Sequence, residues 1–408
     1  MRYSTKRLAT TWMFAVGAVA LFGGGDWLQF RGNNTDGTAA DEQLPLSWTA
    51  AGDNIAWKAD LKGRGLSTPI VIGDRVVVTS SSGFHEDRLH VTCFDANNGE
   101  QLWERQFWAT GRTMCHPKMC NATPTPASDG KRIFAFYSSN DVICLDLDGN
   151  LLWFRGLTHD YPNASNSLGM ASSPVVIGET LIVQVENDAE SFSTGLNVET
   201  GEPRWKIERP QIANWASPTI LRGETPERDL VLLQSPSDLQ AVNPQSGEVV
   251  WTYTQGASGI PSSVTGDGVV FVPSNGLTAL RTAGDAKEPE IVWQTPKAPP
   301  STASPIYYDG RIYVVTRAGV LLCIDPKTGE ELWKMRVTGP FSSTPLAAGG
   351  HIYLFNEMGL AYVVKVGDKE GITVSENDLQ ETILCTPSAS NGGLYVRSDK
   401  HLWKIAQP

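Results

Sequence analysis

The chain has 408 residues, 41% of them hydrophobic and 19% charged, and a net charge of −11. That balance excludes a disordered or fibrous chain, and it leaves nucleic acid and anionic lipid without a basic stripe to meet. The length alone would permit two or three domains.

Met1 to Ala20 reads as a secretory signal. Arg2, Lys6 and Arg7 form a basic start, Leu8 to Ala20 is apolar, and Ala18-Val19-Ala20 is an acceptable cleavage site. The other reading is an uncleaved anchor extending to about residue 25, since the apolar run continues to Phe22 before Gly23-Gly24-Gly25. No Cys follows the run, which argues against a lipoprotein, and no other stretch is long and apolar enough to span a bilayer. Cleavage removes three positive charges from −11 and leaves −14. The expected location is periplasmic or secreted, with residues 26–408 as the mature unit.

Beyond the signal, one repeat recurs. A Ser/Thr-Pro pair stands seven residues before an apolar position at Pro69/Val76, Pro126/Ile133, Pro174/Leu181, Pro305/Ile312, Pro345/Ile352 and Pro387/Leu394. Pro218 fits if GETPERD is a turn insertion, and Ser262 takes the Pro position of the remaining copy. A second anchor, Gly four residues before Trp, recurs at Gly99/Trp103, Gly149/Trp153, Gly201/Trp205, Gly247/Trp251 and Gly329/Trp333. Asp95, Asn197, Asn243 and Asp325 stand eight residues before four of these Trp, with Asp146 one residue closer, and suit bonds to turn backbone N–H groups.

The copy at residues 304–333 shows the pattern: PIYY, IYVV, VLLCI and ELWKM, cut by Asp309-Gly310, Arg317-Ala318-Gly319 and Lys327-Thr328-Gly329. Four short strands joined by tight turns in about forty residues make one β-propeller blade. The expected fold is therefore all-β, a single eight-bladed propeller of four-stranded blades. The last copy is one strand short, and Asn54 to Lys58 near the start is the expected N-terminal strand that joins the last blade and closes the ring. Trp57, Trp103, Trp153, Trp205, Trp251, Trp293 and Trp333 read as blade-packing residues, not as a cofactor box.

Cys93, Cys144 and Cys323 share one place in the third strand of their copies, and with Cys385 they read as small core hydrophobes. Cys115 and Cys120, in CHPKMC, are either a disulfide or free thiols. With His116 between them and no second cluster, they do not make a metal site.

The Ser-Pro start, the Asp-Gly turn, the (L/I)-D-x-x-T-G-x-x-W ending and the eight copies resemble the pyrroloquinoline quinone (PQQ) repeat family. That superfamily includes quinoprotein alcohol dehydrogenases and the propeller lipoprotein of the outer-membrane barrel-assembly machinery. DWLQFRGNNTDGTA, LPLSW, NIAWKADLKGRGLSTPIV and NATPTPASDGKRIFAFY are similar to exported PQQ-like propellers of planctomycete-type bacteria, over residues 26 to 408. The resemblance implies the fold; for activity it implies little, because the repeat is a packing device. The dehydrogenases of the family carry adjacent cysteines, a Trp floor, and Ca²⁺ or a lanthanide held by Glu, Asn and Asp beside a catalytic Asp. Here no Cys-Cys pair and no CxxCH motif occurs.

In such a ring the turns between strands one and two and between three and four share one face. The other face takes the interblade loops, 106–121 and 156–171, and the second-to-third-strand loops, 80–90 and 186–193. Length is loaded onto that face, and long scaffold loops carry binding. Its candidate ligand-binding residues are Arg64, His116, Asn121, Glu186, Trp215, Arg317 and Glu357. Trp215 either lines the channel mouth or is a buried interblade aromatic; His116 and Asn121 are solvated, pin loops or bind. Arg317 and Glu357 stand in corresponding turns of adjacent blades and would form a surface ion pair. Glu186, Asp188 and Glu190 would be a solvated acidic loop or part of a Ca²⁺ site.

Three functions follow in order. The first is a non-enzymatic envelope scaffold, a monomeric ring without cofactor that binds a protein, peptide or glycan. The alternative is a PQQ- and Ca²⁺-dependent oxidoreductase. The third is a carbohydrate hydrolase or lyase, which needs two carboxylates about 5–10 Å apart and has only Glu186 with Glu357 to offer.

Overall fold

The computed structural model describes residues 25–164, 168–282 and 286–407, so the expected signal at 1–20 lies outside the described residues. Eight antiparallel sheets follow one another in chain order, at 70–108, 127–156, 175–208, 219–253, 264–295, 306–336, 346–378 and 388–405. The eighth takes its outer strand from Ile55–Asp60, which pairs antiparallel with His401–Ile405. Inner strands of adjacent blades lie against each other, including Ile70–Ile72 of the first blade against Ser388–Ser390 of the last. This is an eight-bladed all-β propeller.

The burial pattern explains the sequence runs. Middle strands are sandwiched between two neighbouring blades, so they read as continuous apolar runs instead of alternating ones. Arg311–Val315 and Val320–Ile324 are buried along nearly their whole length. Outer strands face solvent: in Glu331–Arg336 only Trp333 is buried. Cys93, Cys144, Cys323 and Cys385 all sit in the interblade cores.

The Gly and Trp anchors meet between blades, not within one. Trp293 of blade five donates its indole N–H to the Pro326 carbonyl of blade six at 2.9 Å. Gly329, at φ 74°, lies so close over that indole that a Cβ would meet it at 2.6 Å. Trp57, Trp103, Trp153 and Trp205 make the same bond to Ala96, Leu147, Val198 and Pro244, and Trp333 bonds Gly367. Trp251 is buried without such a partner among the described residues.

The Ser or Thr before the Pro anchor in seven blades, and Ser262 in the fifth, form a hoop around the channel; the Pro position of that fifth copy is therefore Ser263 and not Ser262 as expected. Backbone N–H groups of Thr68, Thr125, Ser173, Ser217, Ser262, Ser304 and Thr344 each donate to the hydroxyl of the next blade's residue, at 2.9–3.2 Å, ending on Thr386. At the seam between the eighth and first blades, Thr68 Oγ1 has no partner among the described residues, and the fully buried Arg397 donates to Ser67 Oγ and the Thr79 carbonyl.

Residues 26–44 cross the end of the channel formed by the strand-one-to-two turns and touch every blade. Trp27 pairs with Val71, the Leu28 carbonyl accepts from Ser128, and Gln29 Oε1 accepts from Val176. Thr35 Oγ1 accepts from Ile220, and Arg31 donates to the Ser263 and Pro305 carbonyls. Gly37 accepts from Ala347, Thr38–Ala39 adds a parallel strand to Leu346–Ala348, and Glu42 accepts from Asn391 and Gly392. That end of the channel is closed.

One loop assignment changes and one holds. Most of 80–90 is strand, because Arg75–Ser82 and Arg88–Asp95 extend past the core and leave residues 83–87 as the loop. GETPERD is a turn insertion holding one 3-10 turn, Pro226–Arg228.

Candidate binding cup at the channel mouth

The closed channel opens on the long-loop face as a cup of about 370 Å³. Phe30, from the crossing segment, lines it, and its walls are Leu66, Met119, Leu168, Trp215, Ile260 and Leu384. Hoop hydroxyls ring the inside. A groove of about 660 Å³ adjoins it over blades six and seven, lined by Pro299, Pro300, Arg317, Pro340, Phe341 and Glu357. Lys118, Ile260 and Thr302 line both cavities.

Lys118 belongs to the 106–121 loop, yet its Nζ lies 2.8 Å from Glu357 of blade seven, so the loop arches across the mouth over blades eight and one. Arg64 pins that arch, donating to the Met119 carbonyl at 2.6 Å and the Pro117 carbonyl at 2.7 Å. Glu357 also accepts from Ser342 Oγ. The expected Arg317–Glu357 pair is not formed: Lys118 takes the carboxylate, and the exposed Arg317 side chain makes no ion pair or hydrogen bond among the described residues.

Among the predicted residues, Trp215 and His116 line the cup, and Arg317 and Glu357 line the groove. Trp215 is held by its indole N–H on the Gly169 carbonyl. His116 is exposed, and its Nδ1 accepts the Lys118 N–H. Asn121 is fully buried; it donates to Glu86 and accepts from Ser139, so it staples the loop base and lines neither cavity.

Glu186 is also buried, not solvated. It takes Arg209 Nε at 2.6 Å and Asn214 Nδ2 at 2.9 Å, while Arg209 also reaches Asp238. Burial pushes its carboxyl up to about 7 against the pull of Arg209. Glu186 in blade three and Glu357 in blade seven therefore belong to separate networks on opposite sides of the ring. Among the described residues no group of three His, Cys, Asp or Glu side chains could hold a metal ion.

All six cysteines are free thiols, so the Cys115–Cys120 disulfide is absent. The two side chains have separate surroundings: Cys115 packs on Gly169 and near Ser138 Oγ, whereas Cys120 is buried in the core between blades one and two.

Sequence reading missed Lys118 and the hoop. The Ser/Thr positions were visible as repeat anchors, but their hydroxyl roles depend on the register between blades. It also missed the chain Ser82 Oγ, His90, Glu104, with both bonds at 2.7 Å. The His90 ring is fully buried and neither cavity reaches it, so it ties three strands of blade one together.

The family described as outer membrane protein assembly factor BamB matches residues 33–253 and 278–382. BamB from Moraxella catarrhalis is similar in structure, with a TM-score of 0.62 and 17% identity over 86% of this chain and 97% of that one. A europium-containing methanol dehydrogenase gives 0.71 at 13% identity, covering 91% and 89%. Quinohemoprotein alcohol dehydrogenase from Comamonas testosteroni gives 0.69 at 13% identity, covering 94% and 81%. At such identities these likenesses concern the fold alone. No curated protein matches the chain.

The residues present do not fit a PQQ–metal centre. PQQ is a planar tricarboxylate, whereas the cup brings two basic side chains, His116 and Lys118, and Lys118 already holds Glu357. Among the described residues no Asp or Glu lines the cup to hold the metal ion.

Proposed function

The chain belongs to the PQQ-repeat family described as outer membrane protein assembly factor BamB, and from that premise we propose that it is a non-catalytic binding propeller of the cell envelope. The observation carrying this reading is the cup itself: apolar walls, a ring of hydroxyls, and no Asp or Glu among the described lining residues. Such a lining suits recognition, with apolar area supplying affinity and a few polar groups fixing orientation. The arched 106–121 loop and the groove beside it enlarge the surface on the same face. The mature ring acts as a monomer without cofactor, exported by its N-terminal signal, and its partner is a protein or peptide segment.

Titration with PQQ, with and without Ca²⁺, tests this reading through the fluorescence of Trp215 and the quinone absorbance. We expect no saturable signal. One-to-one binding at micromolar or tighter affinity would overturn it in favour of quinone chemistry.

A further inference from the structure

We propose that the cup and its groove hold the C-terminal end of an extended peptide, with the terminal carboxylate received by the hydroxyl hoop and Lys118. The inference deepens the binding reading above and rests on it.

Donor chemistry comes first. Thr125, Ser173, Ser262, Ser304, Thr344 and Thr386 line the cup and are each at least nine-tenths buried, between 2% and 6% exposed. Each oxygen accepts one backbone N–H from the preceding blade, and none gives its O–H to another described residue. A hydroxyl carries one donor, so the cup holds six unspent donors inside an apolar wall. The indole N–H of Trp215 adds none, being used on Gly169. At the open mouth water meets these donors, so a guest that displaces it must bring acceptors in its place or leave buried donors unpaired. An ammonium head or a plain hydrocarbon cannot; a carboxylate is the strongest acceptor available.

Charge points the same way. The Lys118 side chain is 59% exposed, stands where cup and groove meet, and among the described residues pairs only with Glu357. An incoming carboxylate replaces Glu357 on Lys118, and the unpaired Arg317 lies farther along the groove. Lys118 and Arg317 against Glu357 leave one positive charge in excess there, on a chain whose net charge is −11.

Shape selects a chain end over a small acid. The cup takes a terminal residue, its side chain against Trp215 and Leu168, but a guest confined to the cup leaves the groove bare. Pro299, Pro300, Pro340 and Phe341 offer flat apolar walls along which an extended backbone continues outward.

The test uses the full mature protein and an apolar pentapeptide ending in Leu, as the free acid and as the amide, followed by calorimetry and Trp fluorescence. The free acid is expected to saturate the protein, and the amide to bind about tenfold more weakly or worse, the loss of one charge-assisted bond. Glu357→Gln frees Lys118 and tightens the acid, while Lys118→Gln removes most of the acid–amide difference. Equal binding of acid and amide would overturn the carboxylate assignment while leaving a peptide-binding face intact. N-acetyl-leucine binding as tightly as the pentapeptide would overturn the groove's part. Binding of neither peptide would overturn the proposal, and saturable binding of PQQ with Ca²⁺ would instead remove the non-catalytic reading beneath it.

Discussion

Arg209 lies fully buried between two carboxylates, Glu186 at 2.6 Å and Asp238 at 2.8 Å. Losing one member of such a buried group strands the others, so Arg209→Met should cost about 3–5 kcal/mol, read as a lowered urea midpoint with unchanged slope. Glu186 gives the same cluster a pH signature. Its carboxyl titrates near 7 when folded against 4.5 as the ordinary value, because burial disfavours the charge. Between those values the folded state holds a proton that the unfolded state has released, so stability falls as pH rises through the window and levels off above it. Comparing urea midpoints at pH 5 and pH 8, the natural protein should lose up to about 3 kcal/mol more than Glu186→Gln, from about 1.4 kcal/mol per pH unit. Equal losses would mean that Arg209 keeps Glu186 charged throughout.

The element that repeats is less a blade than a joint between blades. Gly329 at φ 74° sits on the Trp293 ring, whereas Gly310 at φ 66° has nothing within 4 Å of where a Cβ would stand. Ala at either position meets the left-handed backbone strain, about 1–2 kcal/mol. Only Gly329→Ala also lifts the indole off its seat and weakens its bond to Pro326. Thermal unfolding should therefore rank Gly329→Ala clearly below Gly310→Ala; matching midpoints would refute the joint. At this scale the sequence was most legible. Blade number, strand order and the packing Trp residues followed from two spaced anchors, because a repeat writes its own register. The site was less legible. Trp215 was readable as a Trp where no packing Trp belongs and Asn121 as a residue that could pin its loop, but Glu186 read as a solvated loop residue and is buried. Lys118 carried no signal, since its partner lies 239 residues away in the chain. Loop residues fall outside the repeat, and their partners are set by the closed ring.

For the molecule as a whole, residues 26–44 act as the floor on which all eight blades stand. Replacing residues 28–36 with a Gly/Ser run should lower the unfolding midpoint by several degrees within a single transition. It should also make Trp215 more accessible to a soluble quencher, because Phe30 no longer closes the cup. An unchanged midpoint and unchanged quenching would show that the hoop and the Trp joints hold the ring unaided.

The same floor imposes an order in time. Residues 26–44 emerge before any strand they touch, and their last contact, Glu42 to Gly392, joins residues 350 positions apart. The blades can form one by one as they are made, each resting on its predecessor. The floor cannot be completed, nor Ile55–Asp60 find His401–Ile405, until the final blade exists. A chain halted before residue 388 leaves Glu42 and Ile55–Asp60 without their partners, and the ring closes only as the last act of folding.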